Sequence, residues 1–240
     1  MQKLLVFDVW GDYAHFKKIY ATTSAMSYII PSKTAIYGFV GAIIGLEKEN
    51  EAYLTHFASP NECKIAIQIL EPVVMQRINT NLRAVLGAMK PTENRKPTTI
   101  EYVYKPRYRI YFWHNGNVYT QLKTHLQNHT AVYTPTLGLA NLLCNFCLVD
   151  ECVTQITQNS TADICSVIPK SKFIAFASNV FEQGNKIAEL SQYAIEMDTQ
   201  RNVTQRDDIL FDRIAQPIAA NVTEYCSLNI ENKHCNVVLF

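Results

Sequence analysis

The 240-residue sequence predicts an α+β fold. Its core is a ferredoxin-like (RRM-like, split βαβ) domain over residues 1–155, and a small β-rich C-terminal subdomain follows over 156–240. Three observations predict it. Strand and helix signals alternate as β-α-β, hairpin, α-β as far as about residue 155. The clearest helix carries one wide apolar face, as a helix lying on a sheet must. Beyond that point the chain is more acidic and turn-rich, with short strand signals such as "KFIAFA" and "HCNVVLF".

The elements follow in order. "KLLVFDVWG" is short and apolar, as a buried strand is, and Gly11 ends it. "DYAHFKKIYATTSAMSYIIPSK" mixes aromatic, basic and small polar residues without a period and reads as a long, structured loop. Ser32 can cap the helix that comes next, where Ile36, Phe39, Val40, Ile43 and Ile44 recur at i, i+3, i+4, i+7 and i+8. Gly38, Ala42 and Gly45 make a second stripe of small residues. Glycine weakens a helix by about 1 kcal/mol relative to alanine, so the stripe predicts close approach of another backbone.

"CKIAIQILEPVVMQR" is the second strand, ended or bent near Pro72. A basic excursion spans about 72–110, and from Arg77 to Pro97 it is polar and turn-rich with no apolar period. "IEYVYKPRYRIYFWHNGNVYT" alternates as a strand does, and Asn115-Gly116 is a type I′ hairpin signal. "YTQLKTHLQNH" is a short amphipathic helix, "TPTLGLANLL" a turn, and "FCLVDECVTQIT" a further strand.

Net charge is +1, from 22 Lys and Arg against 21 Asp and Glu, which argues against a histone-like chain. The distribution is uneven. Residues 1–76 carry 6 basic and 7 acidic groups, residues 77–149 carry 9 and 2, and residues 150–240 carry 7 and 12. A basic middle third of this kind is the local footprint of a nucleic-acid binder.

The longest apolar stretch, Ala35 to Leu46, has 12 residues, short of the roughly 20 that span a bilayer. No secretory leader is read at Met1 to Val9 and no membrane partner is expected. Seven cysteines without regular spacing predict reduced thiols in a cytoplasm. Cys144 and Cys147 form a lone C-x-x-C in an apolar run and read as buried structural cysteines, so neither metal nor cofactor is expected.

Three features could carry chemistry. On an extended strand Arg107, Arg109, Tyr111 and Trp113 share one face, where guanidiniums would meet phosphates and rings would stack on unpaired bases. Residues 99–119 hold seven aromatics in 21 positions. A core strand with solvated arginines is the alternative. At the helix start Lys33 opposes the macrodipole, and a bound anion shared with Ser32 and Thr34 would resolve the conflict. His15, His56, His114, His125 and His129 are scattered and read as surface histidines, and Asp207-Asp208 reads as a solvated, helix-like acidic cluster. No phosphate-binding glycine loop of the NTPase type and no G-x-S-x-G is present.

The stretch "FDVWGDYAHFKKIYATTSAMSYIIPSKTAIYGFVGAIIGL", with Trp10-Gly11, Pro31-Ser32-Lys33-Thr34 and the glycines at 38, 41 and 45, resembles the opening of the CRISPR-associated Cas-five family of the RAMP superfamily, and its type I-B branch in particular. "YTPTLGLANL", around Gly138, is a second, looser match. The resemblance implies a ferredoxin-like fold with an extended basic thumb hairpin and a single, non-catalytic copy in a Cascade complex. That copy would cap the 5′ handle of the crRNA, touch the backbone RAMP subunit and the large subunit, and meet target DNA only through the complex. It would not be a homo-oligomer.

Carried over, the loop and helix start give His15, Lys17, Lys18, Ser32, Lys33 and Thr34 as handle contacts. Charge adds Arg77, Arg83, Arg107 and Arg109, and the aromatic face adds Tyr111 and Trp113. One branch of the family is itself the crRNA-processing ribonuclease, using Tyr, Lys and His. A metal-independent endoribonuclease is therefore the competing expectation, and the same subunit type also occurs in transposon-associated complexes.

Overall fold

The computed structural model describes residues 3–18, 25–47, 55–57, 62–85, 91–178, 180–182, 184–198, 200 and 202–240, with side chains described outside 82–96. β1 (Lys3–Gly11) is followed by three short strands, β2 (Tyr13–Ala14), β3 (Phe16–Lys17) and β4 (Ser27–Tyr28), then by helix α1 (Lys33–Ile44) and β5 (Cys63–Ile69). A hairpin of β6 (Val74–Val85) and β7 (Pro91–Tyr104) leads into β8 (Arg107–His114), helix α2 (Asn117–Asn128) and β9 (Cys144–Val153). The rest is strand and turn: β10 (Gln155–Ile164), β11 (Ile168–Pro169), β12 (Phe173–Phe176), β13 (Ile187–Met197), β14 (Val203–Asp212), β15 (Ile218–Ile230) and β16 (Lys233–Val237). Among the described residues no helix is long and apolar enough to cross a membrane.

The central sheet has four strands in the order β5-β8-β1-β9, and every neighbouring pair is antiparallel. β1 is apolar throughout because both of its faces are covered. Leu5, Phe7 and Val9 meet the helices through Phe39, Val40 and Leu122, while Leu4 and Val6 meet Leu228 and Val237 from β15 and β16. A strand buried on both sides reads as a continuous apolar run.

α1 forms where its spacing predicts. The Ser32 hydroxyl accepts the Ala35 N–H at 3.1 Å, and Gly45 ends the helix in the left-handed region at φ 82°. The small-residue stripe does meet another backbone, but only at its C-terminal end. There Val132 and Tyr133 N–H groups donate to the Ile43 and Ala42 carbonyls at 3.0 and 2.9 Å, whereas a Cβ on Gly38 would meet nothing within 4 Å.

Four expectations need correction. Asn115-Gly116 is not a hairpin turn: Gly116 is extended at φ −119°, lacks the positive φ that a type I′ turn needs, and caps α2. Val118, Leu122 and Leu126 bury that helix on the sheet, so burial decides against the local signal. Among its described residues the segment from Arg77 to Pro97 is not turn-rich but a ladder, paired from Val74↔Tyr104 to Val85↔Pro91 with one register shift between Arg83 and Val85. It shows no apolar alternation because most of its described side chains beyond the base face solvent on both sides.

The long alternating stretch is broken by Lys105, at φ 46°, and by Pro106, which has no N–H to extend a ladder. β8 therefore belongs to the central sheet and not to the hairpin. Asp207 and Asp208 lie on β14, a strand and not a helix.

The C-terminal strands clasp the central sheet on two sides. Leu190, Tyr193, Ile195, Ile209 and Phe211, from β13 and β14, join the same core as α1 and β1. β15 pairs with β10, β12 and β16, and the end formed by β15 and β16 covers the opposite face of the central sheet.

Candidate nucleic-acid interface

Among the described residues the basic hairpin is anchored at its base. Tyr13 and Ala14 of β2 pair with Tyr104 and Val103, and a small cluster of Ile100, Tyr102 and Leu142 packs there. From that base the 12 residues of β6 reach about 40 Å at strand rise. Arg77 stands on the described part with its side chain 71% exposed, 3.3 Å from Glu101. The backbone of Arg83 pairs with Arg95, and its side chain lies outside the described residues.

His15 locks this base. It is buried, its ring donates to the Glu101 carbonyl at 2.8 Å, and its N–H donates to Leu137 at 3.0 Å. Gly138 closes over it at φ 101°, where a Cβ would stand 1.9 Å from the His15 carbonyl oxygen, so only glycine fits. His15 is thus placed to join hairpin and loop and does not face solvent. His114 is buried as well, bonded to the His56 carbonyl at 2.8 Å. The expectation of surface histidines fails at these two positions, because each ring satisfies a backbone carbonyl of an adjoining loop or strand.

The helix start holds the expected anion, and the protein supplies it. Lys33 is 1% exposed and is ion-paired with Glu196 of β13, while Tyr37 also donates to that carboxylate at 3.5 Å. The Ser32 hydroxyl serves the cap and meets Thr34 at 2.9 Å. Lys33 is therefore closed to an external anion by its own counter-charge. Lys17 is exposed on β3, and the Lys18 ammonium lies 5.9 Å from the Tyr28 ring centre.

On β8 the predicted common face exists, but it divides. Arg107 keeps 48% of its side chain exposed, with Asp8 at 3.8 Å and Glu71 at 3.7 Å. Arg109 is 18% exposed and grips buried Asp8 with two bonds, of 2.7 and 3.1 Å. Burial alone would lower its pKa, but Asp8 more than offsets this and the guanidinium stays charged.

Tyr111 is fully buried, with its hydroxyl on Gln68 at 2.6 Å and near the Cys235 sulfur at 3.3 Å. Its phenol is pushed well above the ordinary range, first by burial. Trp113 is half-buried against the same cluster. β15 and β16 cover this end, so Tyr111 is not available to stack on a base.

The uncovered end gathers Trp10, Lys105, Arg107 and Asn145 around a cavity of about 620 Å³. Of these only Arg107 is among the contacts that the sequence predicts. Trp10 could have been found from the alternation of Val6, Asp8 and Trp10, which puts it on the polar side of β1, but Lys105 and Asn145 carry no sequence signal of their own. Cys144 and Cys147 are half-buried on β9, and among the described residues no group of three His, Cys, Asp or Glu side chains is placed to hold an ion.

Residues 4–204 match the model of the family described as CRISPR-associated protein (Cas_Cas5). The chain belongs to the CRISPR-associated Cas5 family. No curated protein matches it. Among solved structures, a chain of a "CRISPR RNA-guided surveillance complex" is 11% identical, with 90% of this chain and 91% of that one covered at a TM-score of 0.52. A CRISPR protein from Archaeoglobus fulgidus is also 11% identical, with 98% and 99% covered at a TM-score of 0.54. At such identity the likeness is one of fold. It gives this Cas5-family chain a mixed α+β architecture in common with both.

Proposed function

We propose that this Cas5-family protein is a non-catalytic subunit of a type I, I-B-like effector complex of the Cascade kind. In that role it binds and caps the 5′ handle of the crRNA, contacts the backbone and large subunits, and supports RNA-guided DNA targeting in antiviral defence or guided transposition. The order β5-β8-β1-β9, with α1 and α2 on one face, is read as a ferredoxin-like core from which β6 and β7 project as the thumb. The single observation that carries the reading is the basic hairpin rising beside an open corner of that core. Lys105 and Arg107 stand at its foot and Arg77 on its shaft, so one strand of RNA can lie along both. The burial of His15, and the engagement of both His114 ring nitrogens by the His56 carbonyl and the Gly116 N–H, support the non-catalytic reading at those two positions, since a general base needs a ring nitrogen facing its substrate.

Filter binding of labelled repeat RNA to the purified chain, in EDTA, tests this. Retention of the handle that weakens with salt, by about 0.7 in log–log slope per phosphate contacted, is the expected result, with the RNA intact. Defined cleavage within the repeat would transfer the assignment to the endoribonuclease. Absence of retention, alone and with co-expressed neighbours, would overturn the RNA-binding role.

A further inference from the structure

We infer that the cavity bounded by Trp10, Lys105 to Arg107 and Leu143 to Asn145 seats a single unstacked nucleobase of the bound RNA, with preference for bases that carry an exocyclic amino group. The inference rests on the RNA-binding reading above. Trp10 lies directly opposite Arg107 on β8 and Asn145 on β9, so the three side chains form one row across the sheet and leave the same face. The row is at the end of the sheet that β15 and β16 leave open. The volume of about 620 Å³ falls within the range of roughly 300–1,000 Å³ typical of small-ligand sites.

Its walls suit a flat, polar ring. The half-buried indole of Trp10 and the side chain of Leu143, 60% exposed, offer apolar surface. Gly11 brings the β1 and β9 backbones together: a Cβ there would lie 2.9 Å from the Leu143 carbonyl oxygen. The charges around the cavity balance, Lys105 and Arg107 against Asp12 and Glu71. A site for phosphate alone would not carry two carboxylates.

A base resolves the mixture. The cations meet the flanking phosphates and the carboxylates accept amino N–H groups, while the Asn145 carbonyl, which already accepts the Phe146 N–H at 2.8 Å, has one lone pair left for the base. Uracil presents carbonyl oxygens where cytosine presents an amine, so it would face those carboxylates with like polarity. Arg107 is free to serve, because its ion pairs, at 3.7 and 3.8 Å, are long beside the paired bonds of Arg109.

Trp10 and Trp113 are the only tryptophans, so Trp113→Phe makes Trp10 the sole indole reporter in the full chain. Its emission would be followed while oligocytidylate and oligouridylate of equal length are titrated, with filter retention measured in parallel. The expected result is quenching that saturates together with retention, and binding of oligocytidylate about ten-fold tighter than oligouridylate. Glu71→Gln, at a solvent-facing position that the fold tolerates, should shrink that ratio. Retained RNA with unmoved Trp10 emission, or equal affinity for the two polymers, would overturn the base seat and leave RNA binding standing. Loss of all retention would instead remove the RNA-binding reading on which the seat depends.

Discussion

The two ends of one face of the central sheet began with similar residues and have opposite fates. At one end Tyr111 and Trp113 lie under β15 and β16, where the phenol is buried and bonded to Gln68. At the other, Trp10, Arg107 and Asn145 stand in the open beside the foot of the hairpin. Between them Arg109 and Asp8 form the boundary, half-covered and tightly paired. An alternating aromatic and basic strand therefore states which side chains share a face. Whether that face is core or interface depends on what the rest of the chain lays over it.

The sharpest way to break the contrast is Tyr111→Ala, which should cost about 3–5 kcal/mol by emptying a packed site and leave RNA affinity of the folded fraction unchanged; urea unfolding with filter binding reads both. Arg109→Ala should cost about 2 kcal/mol, because it strips buried Asp8 of two charged bonds, and its loss should be larger in stability than in binding. Arg107→Ala reverses the pattern. Its stability should move by under about 0.5 kcal/mol, while the salt slope of RNA binding flattens by about 0.7 for each phosphate that the guanidinium no longer neutralises.

The smallest effect tests the covered end by chemistry. Cys165 packs there, and the hydrogen bond it receives from Cys235 holds its thiol below the usual range, whereas burial pushes Cys144 up to about 12. The thiolate is the reactive form and is present above the pKa. As pH rises, alkylation should therefore begin at Cys165 well before Cys144, and mass-spectrometric peptide mapping at stepped pH reads the order. Simultaneous onset would mean that the pair is not in contact.

Much of the fold is legible in the sequence, because local rules govern it. Ser32 and the 3.6-residue spacing define α1, and the apolar run defines β1. The rest depends on partners far along the chain. Nothing near Tyr111 announces Leu228 and Val237, and nothing near Lys33 announces Glu196. The hairpin ladder escaped a periodicity argument because a strand solvated on both sides has no apolar period to detect. At the candidate site the family pattern contains Trp10, yet its place in a row with Arg107 and Asn145 exists only once three strands are in register.

The pair of Lys33 and Glu196 spans 163 positions of sequence, and this bears on how the molecule is made. During synthesis the first helix emerges with a lysine whose counter-charge has yet to leave the ribosome. Until β13 arrives the ammonium can stay in water, because the strand that covers it also carries its partner, Glu196. The core that α1 and β1 share with β13 and β14 therefore closes late, through contacts between distant segments that form slowly. Truncation before the end of β13 would leave that core open, so RNA-binding tests call for the chain through β13 at least.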